Sequence, residues 1–120
     1  MAEKINVFEK LALFQSLWTP HVIGDVGGCL VKLVKFQGEF IWHRHADEDE
    51  MFLCIEGRFS IQFRNSIIEL EPWELAIVPR GEEHRTIAPS LACALVVEPS
   101  STVNTGDKIN HLTHETLRWI

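Results

Sequence analysis

The chain contains no tyrosine among its 120 residues. This absence excludes any mechanism in which this chain alone supplies a phenol as an acid, a base or a crosslink partner. Basic residues are also few, because 11 lysines and arginines stand against 17 aspartates and glutamates, for a net charge of −6. Nucleic-acid-binding proteins present a basic face, so we expect no nucleic-acid partner.

Cysteines and long apolar runs are scarce as well. The three cysteines Cys29, Cys54 and Cys93 are odd in number and form no CxxC pair, so we expect small buried hydrophobic residues rather than disulfides. No stretch approaches the roughly 20 apolar residues that a membrane span needs. Met1–Lys10 does not have the pattern of a signal peptide. We therefore expect a cytoplasmic protein with no membrane partner.

Short apolar runs separated by Gly, Pro, Asn and acidic clusters make up most of the chain, which is typical of an all-β fold. The length suits one domain, so residues 1–120 are predicted to form a single domain with a barrel core at about 21–98. A preceding strand at His21–Val26 is predicted to turn at the Gly27-Gly28 pair. The other predicted strands are Cys29–Phe36, Phe40–His45, Met51–Glu56, Arg58–Arg64, Ser66–Leu70, Leu75–Val78 and Leu91–Glu98.

The terminal segments and one strand carry further expectations. Phe8–Leu17 has apolar residues at helical spacing and predicts a short helix. His111–Ile120 is expected to be a helical turn or an extended arm. Leu75–Val78 is apolar on both faces, so we expect it to be covered on one side by the second sheet and on the other by a terminal segment or a partner chain.

Four side chains have the composition of a metal site. His43 and His45 are two residues apart on one predicted strand, so alternation places both on the same face. A hairpin would bring Glu50 close to them, and His84 follows Pro79-Arg80-Gly81 further along the chain. Imidazoles with one carboxylate suit a divalent transition metal such as Zn, Fe, Mn, Ni, Co or Cu. An HxH pair alone is a weak signal, because a histidine on a strand is more often a hydrogen-bonded structural residue.

The arrangement of these residues resembles the two motifs of the cupin superfamily. The first motif is matched by Gly38, then His43-Arg44-His45, then Glu50 and Gly57, and the second by Pro79-Arg80-Gly81-Glu82-Glu83-His84. The chain is most similar to the small single-domain cupins described as mannose-6-phosphate-isomerase-like. The resemblance implies a double-stranded β-helix, or jelly roll, and a divalent metal held by His43, His45, Glu50 and His84.

Two positions depart from the family pattern, and neither is a ligand position. The gap from Gly38 to His43 is one residue shorter than usual. Trp73 stands where the second motif has a turn glycine, which argues against a positive φ at this position.

Several functions are compatible with this resemblance. It implies a metal-dependent small-molecule enzyme of the dioxygenase, isomerase or lyase type. Without tyrosine, Cys–Tyr-crosslinked thiol dioxygenases and Tyr-dependent sugar epimerases are excluded. The alternatives are a non-catalytic module that binds a metal or a metabolite, and an assembly unit whose site is a relic. We expect a small-molecule ligand in each of the first two cases.

Residues around the motifs suggest a homodimer and a shortage of cations near the site. Trp42 is expected to face away from His43 and to need a cover, for which a partner chain is the natural candidate.

Arg44 and Arg80 are the only cations near the motifs, and Arg44 is expected to point away from the ligand face. No lysine cluster is present to hold a phosphate, which argues against mannose-6-phosphate isomerase activity.

Overall fold

The computed structural model describes all 120 residues and contains one short helix and eight strands. The helix has five residues, and no helix is long and apolar enough to cross a membrane. The elements are α1 (Val7–Leu11), β1 (His21–Val26), β2 (Cys29–Glu39), β3 (Glu50–Glu56), β4 (Phe59–Phe63), β5 (Ile67–Leu70), β6 (Leu75–Val78), β7 (His84–Pro99) and β8 (Arg118–Trp119).

The long strand β7 organises the barrel. It pairs antiparallel with β2 over most of its 16 residues, with β4 through its first part and with β3 through its second. The register shifts opposite Phe36 and Gly38, so β7 bends where Pro89 and Ser90 are exposed. The bend carries β7 from one sheet into the other, and the result is a double-stranded β-helix. The predicted strand Leu91–Glu98 is therefore only the second part of the longer strand β7.

The inward faces of both sheets form one apolar core. In β4, alternate residues face inward, because Phe59, Ile61 and Phe63 are all buried. Burial of these side chains is the main stabilising contribution to such a fold. The core consists of Val34, Phe36, Phe52, Cys54, Phe59, Ile61, Phe63, Leu70, Ala76, Val78, Ala88, Ala92, Ala94 and Val96.

The N-terminal segment covers part of the outer sheet face. The helix is shorter than the predicted Phe8–Leu17 because the chain leaves it at Ala12, which places Phe14 in a second apolar cluster. The cluster consists of Leu11, Phe14, Leu33, Ile55 and Cys93. At the C-terminus the extended alternative is correct, since β8 pairs parallel with β1.

The predicted strand Phe40–His45 is wrong, because this segment forms only an isolated bridge. Phe40 N donates to Thr86 O at 2.9 Å, and His43 and His84 exchange two backbone hydrogen bonds of 2.9 and 3.0 Å. The chain thus advances three residues from Phe40 to His43 but only two between their partners Thr86 and His84, and this mismatch interrupts the regular strand pairing. His43 and His45 are nevertheless both buried, so the expected common orientation is retained.

Strand β6 is covered on one face only. Ala76 and Val78 are buried in the core, whereas Leu75 and Ile77 are 53% and 64% exposed. The expectation that both faces are covered is therefore not met within this chain, since the terminal segment lies over β2, β3 and β7 instead.

Trp73 keeps the conformation expected of the glycine that it replaces. Its φ is 71°, and its N–H donates to the carbonyl of Cys54 at 2.7 Å. The expectation that tryptophan argues against a positive φ is wrong, because this backbone hydrogen bond and the adjoining strands impose the conformation.

Candidate metal centre

The four predicted metal ligands meet inside one end of the barrel. His43 and His45 come from the irregular segment before β3, Glu50 begins β3 and His84 begins β7. The backbone bridge between His43 and His84 fixes the two distant motifs against each other. All four side chains are buried, and His84 is completely inaccessible to solvent.

The distances between donor atoms suit ligands of one ion. One donor atom from each of the four residues lies within 4.8 Å of the others. Glu50 Oε1 is 3.1 Å from His84 Nε2 and 3.4 Å from His45 Nε2. Metal bonds of about 2.1 Å separate neighbouring ligands by about 3.0 Å at right angles and about 3.4 Å at tetrahedral angles.

Hydrogen bonds to backbone carbonyls orient two of the imidazoles. Nδ1 of His43 lies 2.9 Å from Ile41 O, and Nδ1 of His84 lies 3.0 Å from Glu82 O. Because a carbonyl only accepts, each Nδ1 carries the proton and each Nε2 is left with a free lone pair that could bind a metal. Both ring nitrogens of buried His45 lack a hydrogen-bond partner. Such an orphaned imidazole fits a metal ligand, since unpaired buried polar groups are otherwise costly.

The charges of the cluster are strongly coupled. Burial, together with the neighbouring His84, lowers the pKa of His43 to about 4. Burial also acts to lower the pKa of His84, but its hydrogen bond to Glu50 and the charge of that residue outweigh this effect, so the pKa is raised. Burial opposes ionisation of Glu50, yet contacts with Glu98, His45 and His84 hold its pKa well below the usual range.

A small cavity opens beside the cluster. Its volume is about 40 Å³, which accommodates a few waters or a small ligand. Its lining is mainly apolar and aromatic, with a few polar groups. The lining residues are Trp18, Pro20, Lys32, Val34, Phe36, Phe40, His43, Glu50, Phe52, Thr86, Val96, Glu98 and Asn104.

Two charged residues of this cavity were missed by the sequence reasoning, which found only Arg44 and Arg80 near the site. Lys32 and Glu98 are 1% and 3% exposed, and Lys32 Nζ lies 2.8 Å from Glu98 Oε1. Burial, followed by the charge of Glu50, raises the pKa of Glu98 well above its usual range. The sequence did contain a signal for this pair, because Lys32 lies two residues from both Leu30 and Val34 and therefore faces the barrel interior with them.

The arginines of the two motifs lie outside the site. Arg44 pairs with Asp107 at 3.8 Å, and Arg80 pairs with Asp49 at 3.3 Å. Arg44 thus points away from the ligand face, as expected, and Asp49 belongs to an exposed acidic turn. Cys54 is fully buried in the core, as expected of a small hydrophobic residue.

Trp42 is covered by its own chain. The guanidinium of Arg64 lies 3.8 Å from the ring centre, and that of Arg85 lies 5.0 Å from it. Because these cation–π contacts cover the indole ring, Trp42 does not need a partner chain as its cover, contrary to the expectation from the sequence.

The C-terminal segment packs against the outside of the segment that contains His43 and His45. Asp107 Oδ1 accepts from Arg44 N, and Asp107 N donates to Arg44 O, both at 3.0 Å. Gly106 has a φ of 57°, and a Cβ atom there would lie 2.2 Å from Arg44 O and 3.1 Å from His43 Cδ2. Only glycine allows this close approach. The polar composition of the segment gave no indication of this contact.

Comparison with known proteins identifies the family. The model of the cupin domain family matches residues 30–98, which include all four candidate ligands. The chain belongs to the cupin family. A cupin-2 domain protein of Shewanella frigidimarina is 41% identical, with a TM-score of 0.78 over 79% of this chain and 93% of that one.

Other similar proteins show how little of the function this family membership defines. An uncharacterized protein of Bacillus subtilis, YdbB, is 37% identical over 65 residues, which are 53% of this chain and 58% of that protein. This chain thus matches less than two thirds of that relative. A hydroquinone 1,2-dioxygenase solved with Cd²⁺ and 4-hydroxybenzonitrile is 17% identical, with a TM-score of 0.66 over 80% of this cupin and 72% of the dioxygenase. At this identity, the similarity concerns the fold alone.

Proposed function

We propose that this cupin is a metal-dependent enzyme that acts on a small molecule, with chemistry of the dioxygenase, isomerase or lyase type. His43, His45, Glu50 and His84 would hold one divalent transition metal. The observation that carries the proposal is the convergence of four buried donor groups within 4.8 Å beside a cavity that has further charged side chains.

The donor set defines what the site can do chemically. A bound divalent ion would supply Lewis-acid chemistry, binding a ligand oxygen and stabilising negative charge there. The carbonyls of Ile41 and Glu82 hold His43 and His84 by their Nδ1 protons, and Glu50 supplies one negative charge. The aromatic lining, which includes Phe36 and Phe52, limits the entry of water and favours a ligand with an apolar body.

Elemental analysis of protein purified without added metal tests the ligand assignment. We expect about one transition metal per wild-type chain and a large loss in His43→Ala and in His84→Ala. His111→Ala is the matched control, because His111 is an exposed histidine outside the site. Metal contents equal to that of wild type in both site variants would show that the assignment is wrong.

The second candidate is a binding module without turnover. The small cavity volume, about 40 Å³, favours it, since little space is left for a substrate and a co-substrate together. Prolonged incubation of a bound ligand with the metal-loaded protein, followed by mass spectrometry, distinguishes the two functions. Conversion of the ligand supports the enzyme, and quantitative recovery of the unchanged ligand supports the binding module.

We also propose that the protein is a homodimer that associates through the outer face of β6 and β3. Leu75 and Ile77 are exposed, and their antiparallel neighbours Leu53 and Met51 are only partly buried. Exposed apolar surface of this kind is typical of an association face. Ile77→Asp is expected to yield a monomer in sedimentation analysis, whereas Ile67→Asp, on the exposed strand β5, leaves a dimer. A monomeric wild type would exclude this association.

A cytoplasmic location is proposed from the cysteines. All three are free, which suits a reducing compartment. Cell fractionation with an antibody to the native protein tests this location, and recovery from an extracytoplasmic fraction would contradict it.

A further inference from the structure

A buried ion pair lies inside the barrel next to the candidate metal ligands. Lys32 and Glu98 are almost fully buried, are 2.8 Å apart and line the same cavity as His43 and Glu50. The carboxyl group of Glu98 also contacts that of Glu50. Apolar residues often replace a buried ion pair without loss of stability. Stability alone therefore does not explain this pair.

The pair has unused hydrogen-bonding capacity. Lys32 donates one side-chain hydrogen bond, to Glu98 Oε1, although an ammonium group has three donors. Glu98 Oε2 is buried and has no hydrogen-bond partner. One ligand group can satisfy both residues if it accepts from the ammonium and forms a hydrogen bond with the unpaired oxygen of the Glu98 carboxyl group. A hydroxyl group does both.

The remainder of the cavity restricts the ligand further. Its walls include Trp18, Phe36 and Phe40, and its volume is about 40 Å³, so the ligand is small and has a short carbon skeleton. A dication beside the single carboxylate of Glu50 keeps positive charge, and the Lys32 ammonium lines the same cavity. An anionic ligand therefore completes the balance.

We propose that the cavity binds a small hydroxycarboxylate, with its carboxylate toward the four-residue metal group and its hydroxyl between Lys32 and Glu98. This inference rests on the proposed metal site and names the class of molecule that the site takes. Lys32 and Glu98 are specificity-determining residues in this arrangement, because they distinguish a hydroxylated acid from the corresponding unsubstituted acid.

Calorimetric titration of the zinc-loaded protein tests the proposal. The probes are glycolate, 3-hydroxypropanoate and 4-hydroxybutanoate, each compared with the acid that lacks the hydroxyl group. We expect wild type to bind at least one hydroxy acid about tenfold more tightly than its partner, the effect of hydrogen bonds to charged groups. Lys32→Met/Glu98→Leu, which replaces the pair by apolar side chains, is expected to lose most of this preference.

Two further variants make the test specific. Lys35→Met is the matched control, since Lys35 is a buried lysine of the same strand that lies outside the cavity lining, and it is expected to retain the preference. Glu98→Gln keeps the size of the side chain and is expected to weaken the preference, which provides a second measurement if the double variant does not fold.

The outcomes separate this proposal from the proposed function. A wild type that holds zinc but shows no hydroxyl preference at any chain length would overturn the hydroxycarboxylate proposal alone. The same conclusion follows if the double variant keeps the full preference, since the metal would then be the source of selectivity. If the double variant does not fold, full preference in Glu98→Gln leads to the same conclusion. A wild type that takes up no zinc would contradict the metal site itself and the hydroxycarboxylate proposal with it.

Discussion

The inner and outer faces of β2 each bury one lysine, and the two lysines have different partners. Lys32 faces the cavity and pairs with the carboxylate of Glu98 at 2.8 Å. Lys35 faces the N-terminal segment, where its ammonium donates to Phe14 O at 2.7 Å and lies 4.9 Å from the Phe14 ring centre. The outer lysine thus joins two structural segments, whereas the inner lysine is held by a charge beside a candidate ligand site.

This difference predicts unequal costs of removing the two lysines. Lys32→Met removes the ion-pair partner of buried Glu98, whose raised pKa allows its carboxyl group to take up a proton, and is expected to lower the free energy of unfolding by about 3 kcal/mol, the lower end of the cost of breaking a buried pair. Lys35→Met leaves one neutral carbonyl unpaired and is expected to cost about 1–3 kcal/mol. Urea denaturation measures both. If Lys35→Met costs more than Lys32→Met, the distinction between the two faces is incorrect.

The inner face is also expected to respond to pH. The raised pKa of His84 means that a proton must leave before this residue binds a metal, whereas the lowered pKa of His43, about 4, leaves that imidazole neutral near pH 7. As the pH falls through the pKa of His84, zinc affinity should fall by about tenfold per pH unit.

Competition with a chromophoric chelator measures this affinity between pH 5.5 and 8. His111→Ala is the control and should show the same slope, because its side chain lies outside the cluster. A zinc affinity that does not change over this range would show that proton release does not accompany binding.

The C-terminal segment contacts the candidate ligand His43 from outside the barrel, so a change there is also expected to affect the metal site. Gly106→Ala places a Cβ atom against Arg44 O and His43 Cδ2 in a left-handed conformation, so we expect a loss of about 1–3 kcal/mol in unfolding free energy and weaker zinc binding. Gly27 has a similar φ of 61° but no atom within 4 Å of its Cβ position. Gly27→Ala should therefore leave zinc affinity unchanged, and equal zinc affinities in the two variants would exclude support of the site by this segment.

The smallest expected effect concerns Trp73. A positive φ costs a residue with a side chain about 1–2 kcal/mol, and a glycine at this position would not have this cost. Part of the resulting stabilisation is lost again, because glycine loses more conformational entropy on folding. Trp73→Gly is therefore expected to raise the unfolding free energy by up to about 1 kcal/mol, measured as a shift in the urea midpoint. A clear destabilisation would indicate that the exposed indole makes stabilising contacts.

The candidate ligands could be predicted because they lie in short local patterns. His43, His45 and Glu50 are separated by a few residues, and His84 follows a Pro-x-Gly turn, so the family resemblance defined the set without any knowledge of strand pairing. The strand at Phe40–His45 could not be predicted correctly, since its interruption depends on the number of residues opposite it in β7.

The long-range contacts could not be predicted from local patterns. Lys32 and Glu98 are 66 residues apart in sequence and meet because β2 and β7 pair with Leu30 opposite Glu98. The contact of Gly106 with Arg44 likewise requires the C-terminal segment to return to the barrel. Such contacts depend on tertiary register, which alternation within one strand does not define.

X-ray absorption at the metal edge of the zinc-loaded protein tests the central claim most directly, because the scattering pattern of imidazole rings counts histidine ligands. Three imidazoles and oxygen ligands are expected in wild type, and two imidazoles in His43→Ala after zinc is restored. Bound zinc without imidazole scattering, or a wild-type spectrum unchanged by His43→Ala, would contradict the assignment of His43, His45, Glu50 and His84 as the metal ligands.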